Sequence, residues 1–494
     1  MNMKNKFFTR PMFWLILVAC VLFLFVMPTY ALGNRSEFSG TGSDYQKQQY
    51  LEVINSVYDF MLQNYVDEVD PKILYEGALR GMLGAVDDPY TVYMDEAEVR
   101  SLSDTTYGEF GGVGLSITKP VESTVQKPAY VEVVSPIEGT PGWRAGIQSG
   151  DYIIKIDDTF TESITMDDVL AILRGEAGSS VEVTFLRGNT EFTITLVREI
   201  IEVPTVKYGM IYETGRNVGY MRIIEFTPLT AERVQEALDS FEEHDYDSLI
   251  IDLRNNPGGL ITSVADVADK FIDSGVIVST KSRLMFENTV YNANKRNTTM
   301  KKNVPIVVLI NQGSASASEI LAGALKDYHL AYLVGEKTFG KGSVQQVLSL
   351  PNNDGFKITM AKYYTPSDTN IDKIGIPPDY EVLFAELDEE ESETYIDLLL
   401  SGEVSEYVKN HKNMSEEEIT RYAKTLREEY DLDLYILERE IRLKVKPDML
   451  YDLDFDVQLN EALEVLEESN FNAMVRSAKT LSELQELTVE ESEN

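Results

Sequence analysis

Apolar residues run without a break from Met12 to Met27, behind Lys4, Lys6 and Arg10 and ahead of Pro28. A terminal run that is apolar on every face, with a basic flank, predicts a membrane anchor or signal segment over residues 1–32. Its length falls between a signal core and a comfortable span. Thr29-x-Ala31 offers a cleavage site with small residues, and an uncleaved anchor is the favoured reading. The basic flank sets the terminus inside and sends the bulk of the chain across the membrane. Residues 33–44, rich in Gly, Ser, Thr and Asn, read as a linker. From Tyr45 the pattern becomes helical: Tyr50, Ile54, Val57, Tyr58, Met61 and Tyr65 recur at three- and four-residue steps. A second helix spans Ile73 to Leu83 and stops at Gly84. Together these give a helical region over 45–103.

The period shortens to two over 104–198, where a β-rich segment is expected. Gly111-Gly112-Val113-Gly114-Leu115 is a glycine-rich loop that runs into a strand. Val181–Leu186 and Phe192–Leu196 alternate like strands, and Met166 to Leu173 reads as a helix. From about residue 217, strands and helices take turns. Gly219–Ile224, Ser248–Leu253, Val304–Ile310 and Ala331–Val334 are predicted strands; Thr230–Phe241, Val264–Ile272 and Ser316–Lys326 are predicted helices. That alternation is the mark of an α/β layer domain, placed at 199–384. Residues 385–494 return to helical spacing. Ser415-x-x-Glu418 opens a helix with Ile419, Tyr422, Ala423, Leu426 and Tyr430 on one face. Leu459, Ala462, Leu463 and Leu466 mark another, and Leu481, Leu484 and Leu487 a third.

Composition narrows the chemistry. The 494 residues carry 44 Lys+Arg against 82 Asp+Glu, a net charge of −38, which argues against nucleic acid as a partner. More than half of that charge lies in residues 381–494, away from the α/β segment. The tail stripes fit packing onto the core or an interface with a partner, including a second copy of the chain. A single cysteine, Cys20, excludes an intrachain disulfide and thiolate metal clusters. The three histidines, His244, His329 and His411, do not stand at metal-ligand spacing, so no metal and no cofactor is expected. Asp452, Asp454 and Asp456 lack the glycine and terminal glutamate of a calcium loop.

The segment Asn311-Gln312-Gly313-Ser314-Ala315-Ser316-Ala317-Ser318-Glu319 puts serines between a buried strand and a helix N-terminus. Free backbone N–H groups there favour developing negative charge, which suits an acyl-transfer nucleophile. The plainer reading of Ser316-x-x-Glu319 is a helix capping box. His329 reads as a loop residue, which leaves a lysine as the base. Desolvation lowers a lysine's proton affinity, and Lys326, Lys337 and Lys341 follow the serines. Lys341 stands between Gly340 and Gly342, and Gln345 is able to hold its amine without adding charge. Spacing alone does not choose among Ser314, Ser316 and Ser318.

Ser-Ala-Ser-Ala-Ser-Glu at 314–319, with Thr-Phe-Gly-Lys-Gly-Ser-Val-Gln at 338–345, resembles the carboxyl-terminal processing proteases, serine peptidases of family S41 with a PDZ domain. The resemblance runs over roughly residues 45–385. It implies a PDZ domain over 104–198 and a ClpP/crotonase-like α/β core. By position it implies Ser316 as nucleophile, Lys341 as general base and Gln345 as its positioner. Asp252-Leu253-Arg254-Asn255-Asn256-Pro257-Gly258-Gly259 matches the family's strand-end loop, so Gly258 or Gly259 is implied, with Ala317, in the oxyanion hole. Gly112, Val113, Gly114 and Leu115 would hold a peptide's C-terminal carboxylate and strand, and Arg174 would report peptide binding to the core. Relatives commonly read Asp-Pro-His-Ser where this chain has Asp88-Pro89-Tyr90-Thr91, which puts the local packing there in doubt. The implied function is a membrane-tethered, extracytoplasmic serine endopeptidase that recognises polypeptides with free C-termini and processes or degrades envelope proteins. The competing class is a catalytically silent PDZ adaptor of the envelope.

Overall fold

The computed structural model describes residues 44–493, apart from 97, 101, 103–108, 121–128, 138, 149, 189, 203, 213–214, 286–287, 384–386, 412 and 448. The expected anchor over 1–32, and the linker up to residue 43, lie outside the described residues. The chain divides into two units, residues 1–82 and 83–494.

In the first unit, α1 (Asp44–Asn64) and α2 (Pro71–Gly84) are the two helices that the spacing predicts. Asp70 stops the chain before α2 by accepting from the Lys72 N–H at 2.8 Å, and Pro71 fills the first helical position, where no N–H is needed. Tyr58 of α1 donates to the Pro71 carbonyl at 3.1 Å. Tyr50, Leu51, Val53, Ile54, Val57 and Phe60 stay exposed along α1.

The second unit opens with β1 (Val92–Met94), then β2 (Glu109–Gly112), β3 (Leu115–Thr118) and β4 (Val131–Pro136). A short α3 (Pro141–Arg144), β5 (Tyr152–Ile156), β6 (Thr159–Phe160), α4 (Met166–Leu173), β7 (Ser180–Arg187), β8 (Thr190–Val197) and β9 (Glu199–Glu202) follow. One sheet runs β3-β4-β5-β7-β8, with β6 on β5, so β3 is an edge strand. β2 pairs with β9 in a separate ladder. Val131, Val133, Ile153, Ile156, Val181, Val183 and Phe185 alternate inward from this sheet onto Val169 and Leu173 of α4. Thr165 and Asp168 cap α4 reciprocally.

The α/β part is built from β10 (Val206–Ile211), β11 (Val218–Ile223), α5 (Thr230–Glu243), β12 (Ser248–Asp252), α6 (Ile261–Ala268), β13 (Ser274–Lys281) and β14 (Val290–Asn294). It continues through β15 (Ile306–Ile310), α7 (Ala317–Asp327), β16 (Tyr332–Gly335), β17 (Ser343–Ser349), β18 (Gly355–Tyr364) and β19 (Tyr380–Glu381). Its main sheet runs β10-β11-β12-β15-β16-β19, parallel except where β10 meets β11. Residues of β12 and β15 are buried on both faces, which explains their continuous apolar runs. Leu249, Ile251, Val308 and Ile310 face α5, α6 and α7, and beyond those helices lies Tyr363 of β18. Tyr220, Ile250, Val307 and Leu309 point the other way.

That second face is covered by the acidic tail. The tail holds α8 (Glu389–Ser401), α9 (Glu403–Asn410), α10 (Glu416–Tyr430), α11 (Leu434–Val445), α12 (Val457–Glu467), α13 (Phe471–Ser477) and α14 (Leu481–Glu493). Leu459, Ala462, Leu463 and Leu466 of α12, with Phe471 and Val475 of α13, close over the sheet. Leu481 joins the core on the helix side, and α8–α11 gather a small core of their own around Tyr422, Leu426, Leu437 and Ile441. The tail therefore packs on the core. Asp452 and Asp454 pair with Arg442, and Asp456 pairs with Arg254, so guanidinium groups answer these carboxylates.

Two parts of the pattern mislead. The second sheet, β1-β18-β13-β14 with β17 on β18, is not legible as alternation, because most residues of β17 and β18 are only half-buried or exposed. The helix expected over Val264–Ile272 is α6, which starts earlier and ends at Ala268. Phe271 and Ile272 continue its apolar spacing from a turn whose N–H groups both donate to the Ala268 carbonyl.

Leu459 is fully buried between α12 and the sheet. Leu459→Ala is expected to destabilise the folded chain by about 2–5 kcal/mol, read as a lower urea midpoint; an unchanged midpoint would show that the tail does not stabilise the core.

Candidate active site

The main sheet delivers several loops to the carboxyl ends of its strands. After β15 the chain turns through Asn311–Ala315 and enters α7 at Ala317. Ser316 sits at the joint with φ 54° and ψ −112°, a conformation a side chain adopts only when its surroundings impose it. They do so here. The Ser316 N–H donates to Glu319 Oε2 at 2.9 Å, and its carbonyl accepts from the buried Tyr363 hydroxyl at 3.2 Å. Ala315 N–H donates to the Asn256 carbonyl at 3.0 Å. The neighbouring serines are spoken for. Ser314 Oγ donates to the Leu253 carbonyl at 2.8 Å and Ser318 Oγ to the Asn256 carbonyl at 2.9 Å, both fully buried. Among the described residues the half-exposed Ser316 hydroxyl donates to no carbonyl; as a capping-box residue its side chain faces the Glu319 N–H.

The loop after β12 lies against this turn. A Cβ on Gly258 would stand 2.7 Å from Ser316 Cβ and 2.9 Å from the Ala317 nitrogen, so only glycine fits, and its φ of 111° asks for glycine as well. The Gly258 N–H is engaged by Asn256 Oδ1 at 2.9 Å. The Gly258 carbonyl accepts from the Phe226 N–H at 2.8 Å. In a trans peptide the next N–H points opposite to that carbonyl, so the Gly259 N–H is turned away from Phe226. Among the described residues neither it nor the Ala317 N–H has an acceptor. The Ala317 N–H, next to Ser316, is a donor of the kind an oxyanion requires.

Lys341 approaches from the loop between β16 and β17. Its flanking glycines admit another stretch of backbone: a Cβ on Gly340 would meet Gly375 N at 2.8 Å, and one on Gly342 would meet Asp372 N at 2.5 Å. The half-buried Lys341 ammonium group lies 4.9 Å above the Tyr90 ring. Desolvation pushes its proton affinity down from the ordinary lysine value; the Lys357 cation adds to this, and Glu319 opposes it. A lysine so placed is more often neutral, and so more available as a base, than an ordinary surface lysine.

Glu319 joins the parts. It is fully buried and accepts from Ser316 N–H, Lys341 N–H (2.9 Å), Gly340 N–H (2.7 Å) and Thr338 Oγ1 (2.6 Å). Burial pushes its carboxyl up, and these four donors only partly oppose that. As a capping-box glutamate its link to Ser316 was visible in the spacing. Its hold on residues 338–341 was not, because those residues are distant in sequence. Tyr90 is the other residue the sequence pattern missed. The Asp88–Thr91 turn that carries it is intact: Thr91 Oγ1 donates to Asp88 at 2.6 Å and accepts from Thr359 N–H at 3.2 Å.

The other candidates fall in different places. Gln345 lies on β17, and its amide nitrogen donates to Ser343 Oγ at 2.8 Å and Thr359 Oγ1 at 3.4 Å; among the described residues it makes no hydrogen bond to Lys341. Nor are Ser316 Oγ and Lys341 Nζ hydrogen-bonded to each other. Lys326 is buried and paired with Asp379, Lys337 is exposed, and the His329 ring stands 3.2 Å from the Val475 carbonyl. At the β-rich sheet, the Val113 carbonyl accepts from Gly142 N–H and the Gly114 carbonyl from Ile137 N–H. Among the described residues the N–H groups of Val113 and Gly114 have no acceptor, and they lead into the edge strand β3 through Leu115. Gly112 is held in the β2–β9 ladder, opposite Glu199. Arg174 stacks on the Phe110 ring at 4.7 Å, inside the β-rich segment.

Comparison with known proteins shows which families the chain resembles. The profile of peptidase family S41 matches residues 217–382, that of a PDZ domain residues 132–187, and that of the N-terminal domain of the activating protease CtpB residues 24–98. The chain is 38% identical over 345 residues to the carboxy-terminal-processing protease of Bartonella bacilliformis, covering 69% of this chain and 76% of that one. It is 30% identical over 439 residues to the carboxy-terminal processing protease CtpA of Bacillus subtilis, covering 88% and 90%. A solved photosystem II D1 C-terminal processing protease shares 31% identity over 68% of this chain and 92% of its own, with a TM-score of 0.40.

The Lys357 cation favours the neutral form of Lys341. Lys357→Met is therefore expected to let Lys341 hold its proton more tightly. The pH at which Lys341 becomes reactive toward an amine-selective reagent, followed by peptide mass, should rise; a fall would contradict the assigned electrostatics.

Proposed function

The chain belongs to the S41 carboxyl-terminal processing proteases, and from that premise we propose that Ser316 is its nucleophile and Lys341 its general base. The observation that carries this is the selection among serines: Ser314 and Ser318 have their hydroxyls committed to backbone carbonyls, and Ser316 does not. Neutral Lys341 takes the Ser316 proton as Oγ attacks the scissile carbonyl carbon. The N–H groups of Gly259 and Ala317 stabilise the tetrahedral oxyanion, while Gly258 provides the close approach between loop and nucleophile. The lysine ammonium then protonates the leaving amine, and water, deprotonated by the same lysine, releases the acyl group. Substrate binding has to bring Oγ and Nζ together, since they are not bonded in the empty site; catalytic hydrogen bonds often tighten only in the complex. Gln345 reaches the base only if its side chain leaves Thr359.

The PDZ domain supplies recognition in this reading. A substrate tail adds as a strand to β3, and its terminal carboxylate takes the N–H groups of Val113 and Gly114, with Gly112 and Leu115 framing the loop. Arg174, beside Phe110, is the proposed route by which an occupied PDZ domain reports to the core. The substrates are proteins of the cell envelope with accessible C-termini. The location proposed is the inner membrane, crossed once through residues 12–32, with the catalytic part outside the cytoplasm; the apolar run behind Lys4, Lys6 and Arg10 supports it. The exposed apolar face of α1 supports a homo-oligomer.

Ser316→Ala is expected to reduce cleavage of an unfolded protein by about 10⁴-fold or more, and Lys341→Arg to do the same at neutral pH, with both variants folded. Blocking the substrate's C-terminus should slow the wild type. Cleavage at the wild-type rate by Ser316→Ala would overturn the nucleophile. For location, the full-length chain is expected to stay with membranes through alkaline extraction; recovery in the soluble fraction would refute the tether.

A further inference from the structure

The sheet's carboxyl edge carries one more polar cluster, and it comes from the tail. Arg254, the residue that follows the β12 strand end and opens the loop to Gly259, is almost fully buried. Its guanidinium is gripped from two sides. Asp252 takes Nε at 3.0 Å and Nη2 at 2.6 Å; Asp456, at the N-terminus of α12, takes Nη1 and Nη2 at 2.7 Å each. Asp456 is fixed in turn, since its Oδ1 caps α12 by accepting from Leu459 N–H at 3.0 Å. Gln458, one residue into α12 and fully buried, accepts from Arg254 Nη1 at 3.2 Å. Its amide nitrogen donates to Glu336 Oε1 at 3.0 Å and to the Val382 carbonyl at 2.8 Å. Glu336 follows β16 and opens the loop that leads to Lys341.

We propose that Asp456 and Gln458 are positioning residues for the dyad: the tail helix α12 clamps the first residues of the oxyanion loop and of the lysine loop to one another. This deepens the proposed function and rests on it. Arg254 and Glu336 lie just beyond the ends of β12 and β16, two strands that have β15 between them. Among the described residues, Gln458 is the side chain that hydrogen-bonds both. Two bidentate carboxylates fix a planar guanidinium in orientation as well as in place. The tail is thus a covering layer whose first turn reaches the catalytic edge, while Leu459, Leu463 and Leu466 hold that turn down on the sheet. Asp456→Asn and Gln458→Leu loosen the clamp without touching Ser316, Lys341 or the two amide donors.

The test uses the full chain and a peptide with a free C-terminus, well below the melting temperature. Expected in both variants is a kcat lower by about tenfold to a hundredfold, with KM unchanged within roughly twofold and the circular dichroism of the wild type. A lower melting temperature with unchanged kcat would make the cluster structural only and overturn the proposal. So would a raised KM with unchanged kcat. Should Asp456→Asn not fold, the same two constants for Gln458→Leu decide. Ser316→Ala is the control: if it still cleaves, the proposed dyad falls and this inference with it. If it is inactive while both clamp variants keep full kcat, the inference alone is wrong.

Discussion

One buried carboxylate carries the local architecture of the site. Glu319 lies in the first turn of α7, away from water, and a charge there is costly unless donors surround it. Its donors come from the serine turn and from Thr338, Gly340 and Lys341. Satisfying one acid therefore ties together two loops that are also joined by the Phe339 N–H, which donates to the Ser314 carbonyl at 3.1 Å. It also explains how Ser316 sustains an unfavourable backbone conformation, since its N–H has a charged acceptor and its carbonyl has Tyr363.

The lysine shows the same economy of means. Lys341 is placed by glycines that let residues 372–375 approach, and by an N–H bond to Glu319. Its side chain is then left among groups that pull its proton affinity in opposite directions: burial and Lys357 lower it, Glu319 raises it. The aromatic face of Tyr90, 4.9 Å away, adds a weak attraction for the ammonium form that burial outweighs. A carboxylate paired directly with the amine would have favoured the ammonium form more strongly.

The acidic tail changes meaning once it is folded. Its less exposed acids are answered within the fold, Asp456 by Arg254, Asp452 by Arg442 and Glu440 by Lys444 and Tyr395, and its apolar stripes form a second layer on the main sheet. An α/β sheet whose strands are apolar on both faces needs covering on both sides. Here α5–α7 cover one side and α12–α13 the other, so the region with the most negative charge is also part of the core.

The chain pattern alone established the strongly periodic helices, the apolar strands of the α/β layer, and the serine, lysine and glycine motifs at strand ends; it left unread the helices α8, α9, α11 and α13. These are local properties: the α4 and α12 stripes, the unbroken apolar runs of β12 and β15, and the Ser316–Glu319 spacing all act within a few residues. It could not show the β13–β14 and β17–β18 pairings, because half-exposed strands lack a clear alternation. Nor could it show that the Ser314 and Ser318 hydroxyls and the Gly258 N–H are already engaged, because their partners, the carbonyls of Leu253 and Asn256 and the Asn256 side chain, lie in a loop distant from the serines in sequence. The meeting of Glu319 with residues 338–341, of Lys341 with Tyr90, and of Arg254 with Asp456 was likewise decided by tertiary structure, since a hydrogen bond depends on distance in space and sequence spacing fixes that distance only within one element.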